Sequence, residues 1–523
     1  MQKSSPLIVL TGPSTEMSDY EGNLIIPFAA GFSKPWFIPR FFLKKTFFKP
    51  VPSNSLEVTK APLSLRRLEA SLVKSGFKPQ DIAVVHPDDL EKTVGPDTKV
   101  IGISAKDPFG FAYVSLTYSS VFDLGEPINK TEYKRLIKNV KRAQQKSGAK
   151  IIVGGPGSWQ FLRPEVNNTF QVDVVFTGEG DVTAPEVFWK LVKGRNLPKV
   201  IEGKQVDIDD ISPIIKPTIY GAVEISRGCG RGCGFCSPTM VRRKVIPVER
   251  VVHEVKLNVS CGVRDVLLVT EDIFMYGAKG ANFVPNREAV NGLLNAVSNI
   301  NEVESIQVTH ANLATVHADK ALAGQVAETL REKSKWAFRN KQVAAVEVGI
   351  ESGSPRLIEK YMAGKCRPFK PDEWPETVLS SLSFMEDHGW VALATILMGL
   401  PGETPEDTQH TIKLIQNIDN LGLNTFLVPL IFVPLGTCSL RDSALKFFND
   451  LSETQVEVFA SAWEHNIRLW GPSFFNHPPY TSKWAKLGFK FLCDLLYNLK
   501  YRRGDTGRKT IARRTLDAIN QAM

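Results

Sequence analysis

The chain has little with which to cross-link itself. Seven cysteines in 523 residues do not make a disulfide framework, and none stands before Cys229. No run of about 18 apolar residues occurs, which argues against a transmembrane helix. The opening MQKSSPLIVLTGPSTEM carries an apolar stretch too short for a secretory signal and reads as a first strand. Free thiols without a leader suit a reducing cytoplasm. Acidic residues are missing from residues 22–56, which hold Lys34, Arg40, Lys44, Lys45 and Lys49. They are scarce again in residues 483–514, where ten Lys or Arg face only Asp494 and Asp505. The net charge of +9 therefore belongs to two local surfaces rather than to the whole molecule. Hydrophobic residues make 43% and charged residues 23%, the balance of a globular protein with room for two or three domains.

What is present is concentrated in Ser226-Arg-Gly-Cys-Gly-Arg-Gly-Cys-Gly-Phe-Cys236, directly after an apolar run. The spacing of Cys229, Cys233 and Cys236 is C-x3-C-x2-C. A closed structural zinc site wants four protein ligands. No fourth cysteine lies nearby, the next being Cys261. Three thiolates on one loop suit three irons of a [4Fe–4S] cube, leaving one iron open. The glycines at 228, 230, 232 and 234 let the loop wrap around such a group. A zinc knuckle is the competing reading.

These cysteines, with the aromatic Phe235 before the last of them, resemble the radical S-adenosylmethionine (SAM) family. The resemblance implies that SAM binds the open iron, and that an electron splits its sulfonium to give a 5′-deoxyadenosyl radical. It also implies a low-potential donor of ferredoxin or flavodoxin type.

Residues 1–200 read as short buried strands alternating with helices. The strands are Leu7–Leu10, Ile82–Val85, Val100–Ser104, Lys150–Val153 and Val172–Phe176, with helices near 64–76 and 131–146. That pattern predicts a doubly wound α/β domain, with ligand contacts from loops at the carboxyl ends of its strands. Two such loops are glycine-rich, Gly154-Gly-Pro-Gly-Ser-Trp159 and Thr177-Gly-Glu-Gly-Asp181, and suit close approach to a cofactor or to a neighbouring loop. The domain is similar to the cobalamin-binding domain of one large SAM subfamily, and the resemblance implies a cobalamin site. The cobalt-ligating D-x-H-x-x-G pattern is missing, so cobalamin would bind without a histidine ligand, or the domain serves another purpose.

Residues 201–218 read as a linker. Over residues 219–440 six further apolar strands recur, at Gly221–Ile225, Asp265–Val269, Ser305–Thr309, Ala344–Gly349, Val391–Leu397 and Thr425–Ile431. Their spacing leaves room for crossover helices and predicts a partial (β/α)6 barrel with chemistry at the carboxyl ends of its strands. The polar ends are Thr270-Glu-Asp, Thr309-His-Ala-Asn, Gly349-Ile-Glu-Ser-Gly and Gly399-Leu-Pro-Gly-Glu-Thr. By resemblance to the family, Glu351 is the first candidate for a SAM ribose or amino contact, followed by Glu271 and Asp272. Ser352, Gly399 and Gly402 would shape the rest of that pocket. His310 reads as a hydrogen-bonded structural residue, and Tyr276 and Tyr361 as packing.

Residues 441–523 read as a helical, basic region. In 484–499 the apolar residues Trp484, Leu487, Phe491, Leu495 and Leu499 recur at helical spacing beside Lys486 and Lys490, a pattern that suits an anionic membrane surface or packing on the barrel. The whole architecture is similar to archaeal radical SAM enzymes that remodel tetraether membrane lipids (GDGTs), including synthases that close cyclopentane rings. This similarity implies a membrane lipid substrate, a cytoplasmic protein peripheral to the inner membrane surface, and an apolar channel lined by aromatics of 32–48 and 470–475. Three other readings stay open: a cobalamin-dependent methyltransferase, an RNA methylthiotransferase and a non-catalytic iron–sulfur sensor. The methylthiotransferase is weakened by the absence of a cysteine triad in the first domain, and nucleic acid is not expected as a partner.

Overall fold

The computed structural model describes residues 5–24, 26–34, 38–166, 170–280, 282–475 and 506–522, with residues 486, 490, 493, 494 and 497 singly between them. Two parallel-stranded units follow one another. In the first, β1 (Ile8–Thr11), β2 (Ile82–Val84), β3 (Val100–Ser104), β4 (Lys150–Gly154), β5 (Val174–Gly178) and β6 (Val200–Gly203) form one sheet in the order β2-β1-β3-β4-β5-β6. Apolar residues on both faces are buried because helices cover both, which is why the strands carry no polar alternation. The long helix Ile128–Ser147 buries Tyr133, Leu136, Ile137, Val140 and Ala143 and ends at Gly148, whose φ of +70° closes the last turn. The chain order reverses between β1 and β3, so the crevice of this sheet lies beyond their carboxyl ends.

One boundary differs from the sequence expectation. β6 starts at Val200 and runs into the stretch read as a linker, and Val200 to Gly203 pair with Val175 to Gly178. It is an exposed edge strand with a weak apolar signal, so only its partner reveals it.

The second unit carries β7 (Ala222–Glu224), β8 (Asp265–Val269), β9 (Ser305–Val308), β10 (Ala344–Glu351), β11 (Trp390–Met398) and β12 (Phe426–Ile431). They make two three-stranded parallel sheets, β7-β8-β9 and β10-β11-β12. A bridge at His310 and Glu347 joins the two, with Ala311 N–H donating to the Glu347 carbonyl at 3.0 Å and Glu347 N–H to that of Thr309 at 3.1 Å. The six strands thus run as one open barrel wall, with helices in the crossovers. The edge at β12 is covered: Asn466, on the helix Glu453–Phe475, exchanges hydrogen bonds with both backbone groups of Leu427. The Thr117 hydroxyl of the first unit accepts from Ile431 N–H at 2.8 Å. The last helix, Thr506–Ala522, ties back through Arg514 to Glu457 and Glu464.

The basic stretch at 22–56 is partly neutralised. Arg40 is bidentate to Glu132 at 2.8 Å, Lys44 pairs with Asp88, and Lys49 lies 3.5 Å from Glu21. Phe48 is fully buried, Phe32 packs on Tyr118, and Trp470 lies tilted against Phe338 with ring centroids 4.1 Å apart. These aromatics of the expected channel are therefore spent on protein packing. Trp36, most of the 484–499 pattern and the side chains of 474 and 475 lie outside the described residues. Among the described residues no helix is long and apolar enough to cross a membrane.

Candidate active site

The cysteine loop leaves the short strand Ser226–Arg227 at the carboxyl end of β7. Gly228, Gly230 and Gly232 all have φ near +75°, a backbone that side-chain-bearing residues avoid. A Cβ at Gly228 would strike the Val241 carbonyl at 2.4 Å, whereas at Gly230 and Gly232 it would meet nothing within 4 Å. One side of the loop is therefore pinned and the other faces open space. Gly234 N–H donates to the Tyr361 carbonyl at 2.7 Å, and the Gly234 carbonyl accepts from Leu440 N–H and Ser439 Oγ, both at 3.0 Å.

Arg231, between the first two cysteines, is buried. Its guanidinium donates to the carbonyls of Gly364, Lys365 and Arg367, which end the helix Pro355–Cys366, and to Asp272 at 3.1 Å. Its other face lies 4.4 Å from the Phe283 ring centroid. The sequence offers no signal for this clamp, because the three carbonyls lie more than a hundred residues away.

The seven cysteines are free thiols. Burial pushes the Cys233 thiol up to about 11, against the opposing pull of Lys365, and pushes Cys236 higher still, with the neighbouring thiols adding to it. Such thiols ionise when a cation joins them. Among the described residues no three His, Cys, Asp or Glu side chains are gathered as around a single metal ion. Three thiols on a glycine loop with one open side are a donor set that fits a larger group with three ligated corners.

The strand ends sort the remaining candidates. Asp272 is fully engaged, accepting from Arg231, Thr315 and the amides of Phe274 and Asn312, so it builds the site rather than facing into it. Glu351 is buried and held by Lys365 at 3.1 Å and by the Thr395 hydroxyl at 3.2 Å. Glu271 differs: no hydrogen bond engages its carboxylate among the described residues, and its charge bears on Cys236. Burial raises it above the usual carboxylate range, against the pull of His310. Ser352 is buried and turned to the Thr411 hydroxyl at 3.3 Å and to Ser354 N–H at 3.0 Å. Gly399 and Gly402 both have positive φ; Gly399 N–H donates to Glu403 at 2.5 Å and the Gly402 carbonyl accepts from Arg356 at 2.8 Å. Thr404 caps the helix Pro405–Asn420 in a capping box with Asp407, the turn its sequence suggests.

His310 bridges the Thr270 carbonyl at 3.1 Å and Glu347 at 3.5 Å, a structural placement. Tyr276 and Tyr361 donate to the carbonyls of Ile246 and Pro401, and both tie loops together.

The first unit reaches this site. Tyr113 donates to the Phe235 carbonyl at 3.0 Å, between the last two cysteines. Trp159 lies so close to Gly436 that a Cβ there would be 2.3 Å from the Trp159 Cβ. Glu179 receives Lys244 at 2.8 Å through both oxygens and Arg227 at 2.8 Å, while Asp181 takes Arg227 at 2.7 Å. Of the two uses the sequence left open for its glycine loops, 177–181 takes the second: it grips the strand that leads into the cysteines.

A family model described as the radical SAM superfamily matches residues 223–415. The uncharacterized methyltransferase PH0819 of Pyrococcus horikoshii is 25% identical over 299 residues, 51% of this chain and 58% of that protein. The ribosomal protein uS12 methylthiotransferase RimO of Cytophaga hutchinsonii is 23% identical over 214 residues, 40% of this chain and 44% of that protein. The chain thus spans about half the length of the curated relatives it matches. Among solved structures, the radical SAM methyltransferase TsrM of Kitasatospora setae, bound to tryptophan substrate and a SAM analogue, superposes with a TM-score of 0.52 at 14% identity, covering 86% of this chain and 82% of that one. The same enzyme with cobalamin and a [4Fe–4S] cluster gives 0.51, with 84% and 74% covered. At such identity the likeness is one of fold, and it extends over both units. With the family match centred on the barrel and its cysteine loop, residues 223–415 of this chain are a radical SAM domain.

Proposed function

We propose that this protein is a radical SAM enzyme that activates an unactivated carbon, with Cys229, Cys233 and Cys236 as the ligands of a [4Fe–4S] cluster. The observation that carries this is the loop itself: three thiols beyond β7 on glycines open to space on one side, with the Glu271 carboxylate at the end of the neighbouring strand β8. When bound, the cluster supplies one electron, drawn from a ferredoxin or flavodoxin, that cleaves SAM to a 5′-deoxyadenosyl radical. Glu271 suits the SAM amino group, and the positive-φ turns at Gly399 and Gly402 shape the adenine side. Arg231 and Asp272 hold the loop against the barrel so that the open side keeps its direction. In a C229A/C233A/C236A variant the iron–sulfur absorption and deoxyadenosine production are both expected to vanish while the fold persists. Deoxyadenosine formation by that variant would overturn the assignment.

Cobalamin-dependent methyl transfer is the reaction we favour, because the carboxyl-end side of the first sheet meets the second unit: Tyr113, which opens the helix after β3, donates to the Phe235 carbonyl of the cysteine loop, and Trp159, after β4, packs against Gly436. Thr15 Oγ1 and Asp107 Oδ2 are buried at that crevice without a hydrogen-bond partner among the described residues, and suit the amide rim of a corrinoid. The D-x-H-x-x-G pattern is missing from the sequence, so a bound corrinoid would take no imidazole from that motif. S-adenosylhomocysteine among the products and corrinoid absorption in the purified protein support this reading; their joint absence removes it.

Ring formation in tetraether lipids is a second reading, favoured by one surface feature. Phe41 is 73% exposed and Phe42 51%, side by side on a short helix with the exposed Lys45. A lipid-facing protein presents aromatic rings next to cations in this way. Lipid mass spectrometry of a host with and without the gene tests it, and unchanged lipids reject it.

A further inference from the structure

The loop that carries the three cysteines is closed by a stem of unusual charge. Ser226–Arg227 pairs antiparallel with Lys244–Val245, and the register sets Arg227 directly opposite Lys244. Two cations facing each other across an antiparallel pair push the strands apart. Residues 228–243, with Cys229, Cys233 and Cys236 among them, lie between these two positions. The two limbs meet closely all the same, since a Cβ at Gly228 would overlap the Val241 carbonyl. The stem therefore needs a counter-charge, and among the described residues Lys244 has no carboxylate partner within its own unit.

The first unit supplies it. Glu179 takes Lys244 Nζ through both oxygens at 2.8 Å and Arg227 Nη1 at 2.8 Å, so one carboxylate spans both sides of the stem. Asp181 accepts from the same Nη1 at 2.7 Å, and Glu224, at the end of β7, takes Nε at 2.6 Å and Nη2 at 2.9 Å. The side chains of Glu179, Asp181 and Lys244 are each less than a tenth exposed, so water screens them little. The backbone that carries the two acids is also fixed. Gly178 has a φ of +77°, a Cβ there would lie 2.5 Å from the Gly203 carbonyl, and a Cβ at Gly203 would overlap the Glu179 carbonyl. Val206 N–H donates to Glu179 Oε2 at 3.2 Å and Gln205 Nε2 to the Met240 carbonyl at 3.1 Å, so the segment after β6 lies along the outgoing limb as well.

We infer that Glu179 is a positioning residue for the radical step: it closes the cysteine loop from the neighbouring unit, so the loop takes its working shape only while the first unit is docked. The charge pattern gives the reason. Without the first unit, the two facing cations of the stem would have Glu224 alone between them, and that carboxylate is already committed to Arg227. This rests on the radical SAM reading and goes beyond it, because it makes an acid of the first unit a condition for SAM cleavage at the thiols of the second.

Hydrogen exchange of residues 226–245 in the full chain without a cluster tests the closure. Deoxyadenosine formation after anaerobic reconstitution, with dithionite as reductant, tests its use. The proteins are wild type, Glu179→Gln, Lys244→Met, E179Q/K244M and, as a control, Lys216→Met, which loosens the linker from Glu57 and Glu69. Glu179→Gln should quicken exchange in the stem about tenfold. It should slow deoxyadenosine formation about tenfold or more. Lys244→Met alone should keep the stem protected. E179Q/K244M, which removes the facing cation along with its counter-charge, should return both readouts toward wild type. Lys216→Met should lower the melting temperature and leave exchange in the stem as in wild type. A stem that opens as readily in the double variant as in Glu179→Gln overturns the inference, since the loss would then be one of packing. Equal quickening in Lys216→Met, or an unchanged stem in Glu179→Gln, overturns it too. If Glu179→Gln does not fold, the double variant decides: a protected stem supports the inference, and an open stem or no fold overturns it. Deoxyadenosine formed at the wild-type rate by a protein with an open stem overturns the inference and leaves the radical reading standing. A wild-type protein that takes up no cluster sinks the radical reading, while exchange still decides whether Glu179 closes the loop.

Discussion

Gly157 and Gly230 stand beyond the carboxyl ends of two parallel sheets and do opposite things. A Cβ at Gly157 would lie 2.2 Å from the Lys106 carbonyl, because the loop after β4 is pressed onto the loop after β3. At Gly230 the same Cβ would meet nothing within 4 Å, and the glycine is needed for its φ of +73°. At Gly157 glycine lets backbone meet backbone; at Gly230 it lets a loop turn while leaving one side open. The first region is built to be gripped and the second to receive something, although both look equally glycine-rich in the chain.

The comparison breaks most easily at the grip between the two regions. Lys244 is buried, and Glu179 is its one ion-pair partner among the described residues. Glu179→Ala strands that charge and is expected to cost about 3–5 kcal/mol, read as a fall in the denaturant midpoint. An unchanged midpoint would mean that the two units do not depend on this contact.

Acidity should separate the regions next. His86, beside the first sheet, is held down to about 4 by burial, and its Nε2 has no partner among the described residues. Its folded-state value lies below the unfolded one, so the unfolded chain binds the extra proton first. Stability is then full above pH 6.5 and falls as pH drops toward 4, by about 3 kcal/mol from this group. Hydrogen exchange of first-sheet amides should quicken over that window in wild type, and the trend should flatten in His86→Gln. An equal slope in both proteins refutes the assignment.

The two glycines themselves give smaller effects. Gly157→Ala forces two loops apart and should cost about 1–3 kcal/mol, with little direct effect on the cysteine loop. Gly230→Ala meets no steric obstacle and should cost about 1–2 kcal/mol from its left-handed backbone alone, with cluster content reduced more than the melting temperature. A larger loss of stability at Gly230 than at Gly157 would reverse the contrast.

Much of the fold was readable because buried parallel strands announce themselves by unbroken apolar runs. Val100–Ser104 and Asp265–Val269 fall where the chain places them, and the other predicted strands shift by only a residue or two. β6 was missed because an exposed edge strand needs little apolar character. At the site, the cysteine spacing and the polar strand ends were visible one by one. Their division of labour was not: Asp272 and Glu351 look as available as Glu271 until their partners Arg231, Thr315, Lys365 and Thr395 are seen around them.

The sequence by itself determined the alternation of strand and helix, the three thiols on a glycine loop and their position after a strand, since these depend on local pattern and spacing. Only the tertiary structure decided which strand-end carboxylate is left without a hydrogen bond among the described residues, that Arg231 clamps the end of the helix Pro355–Cys366, and that the first sheet's loops clasp the second unit. Those facts depend on groups distant in the chain sharing one poorly hydrated space, where each charge must find its partner from whatever element the fold brings beside it.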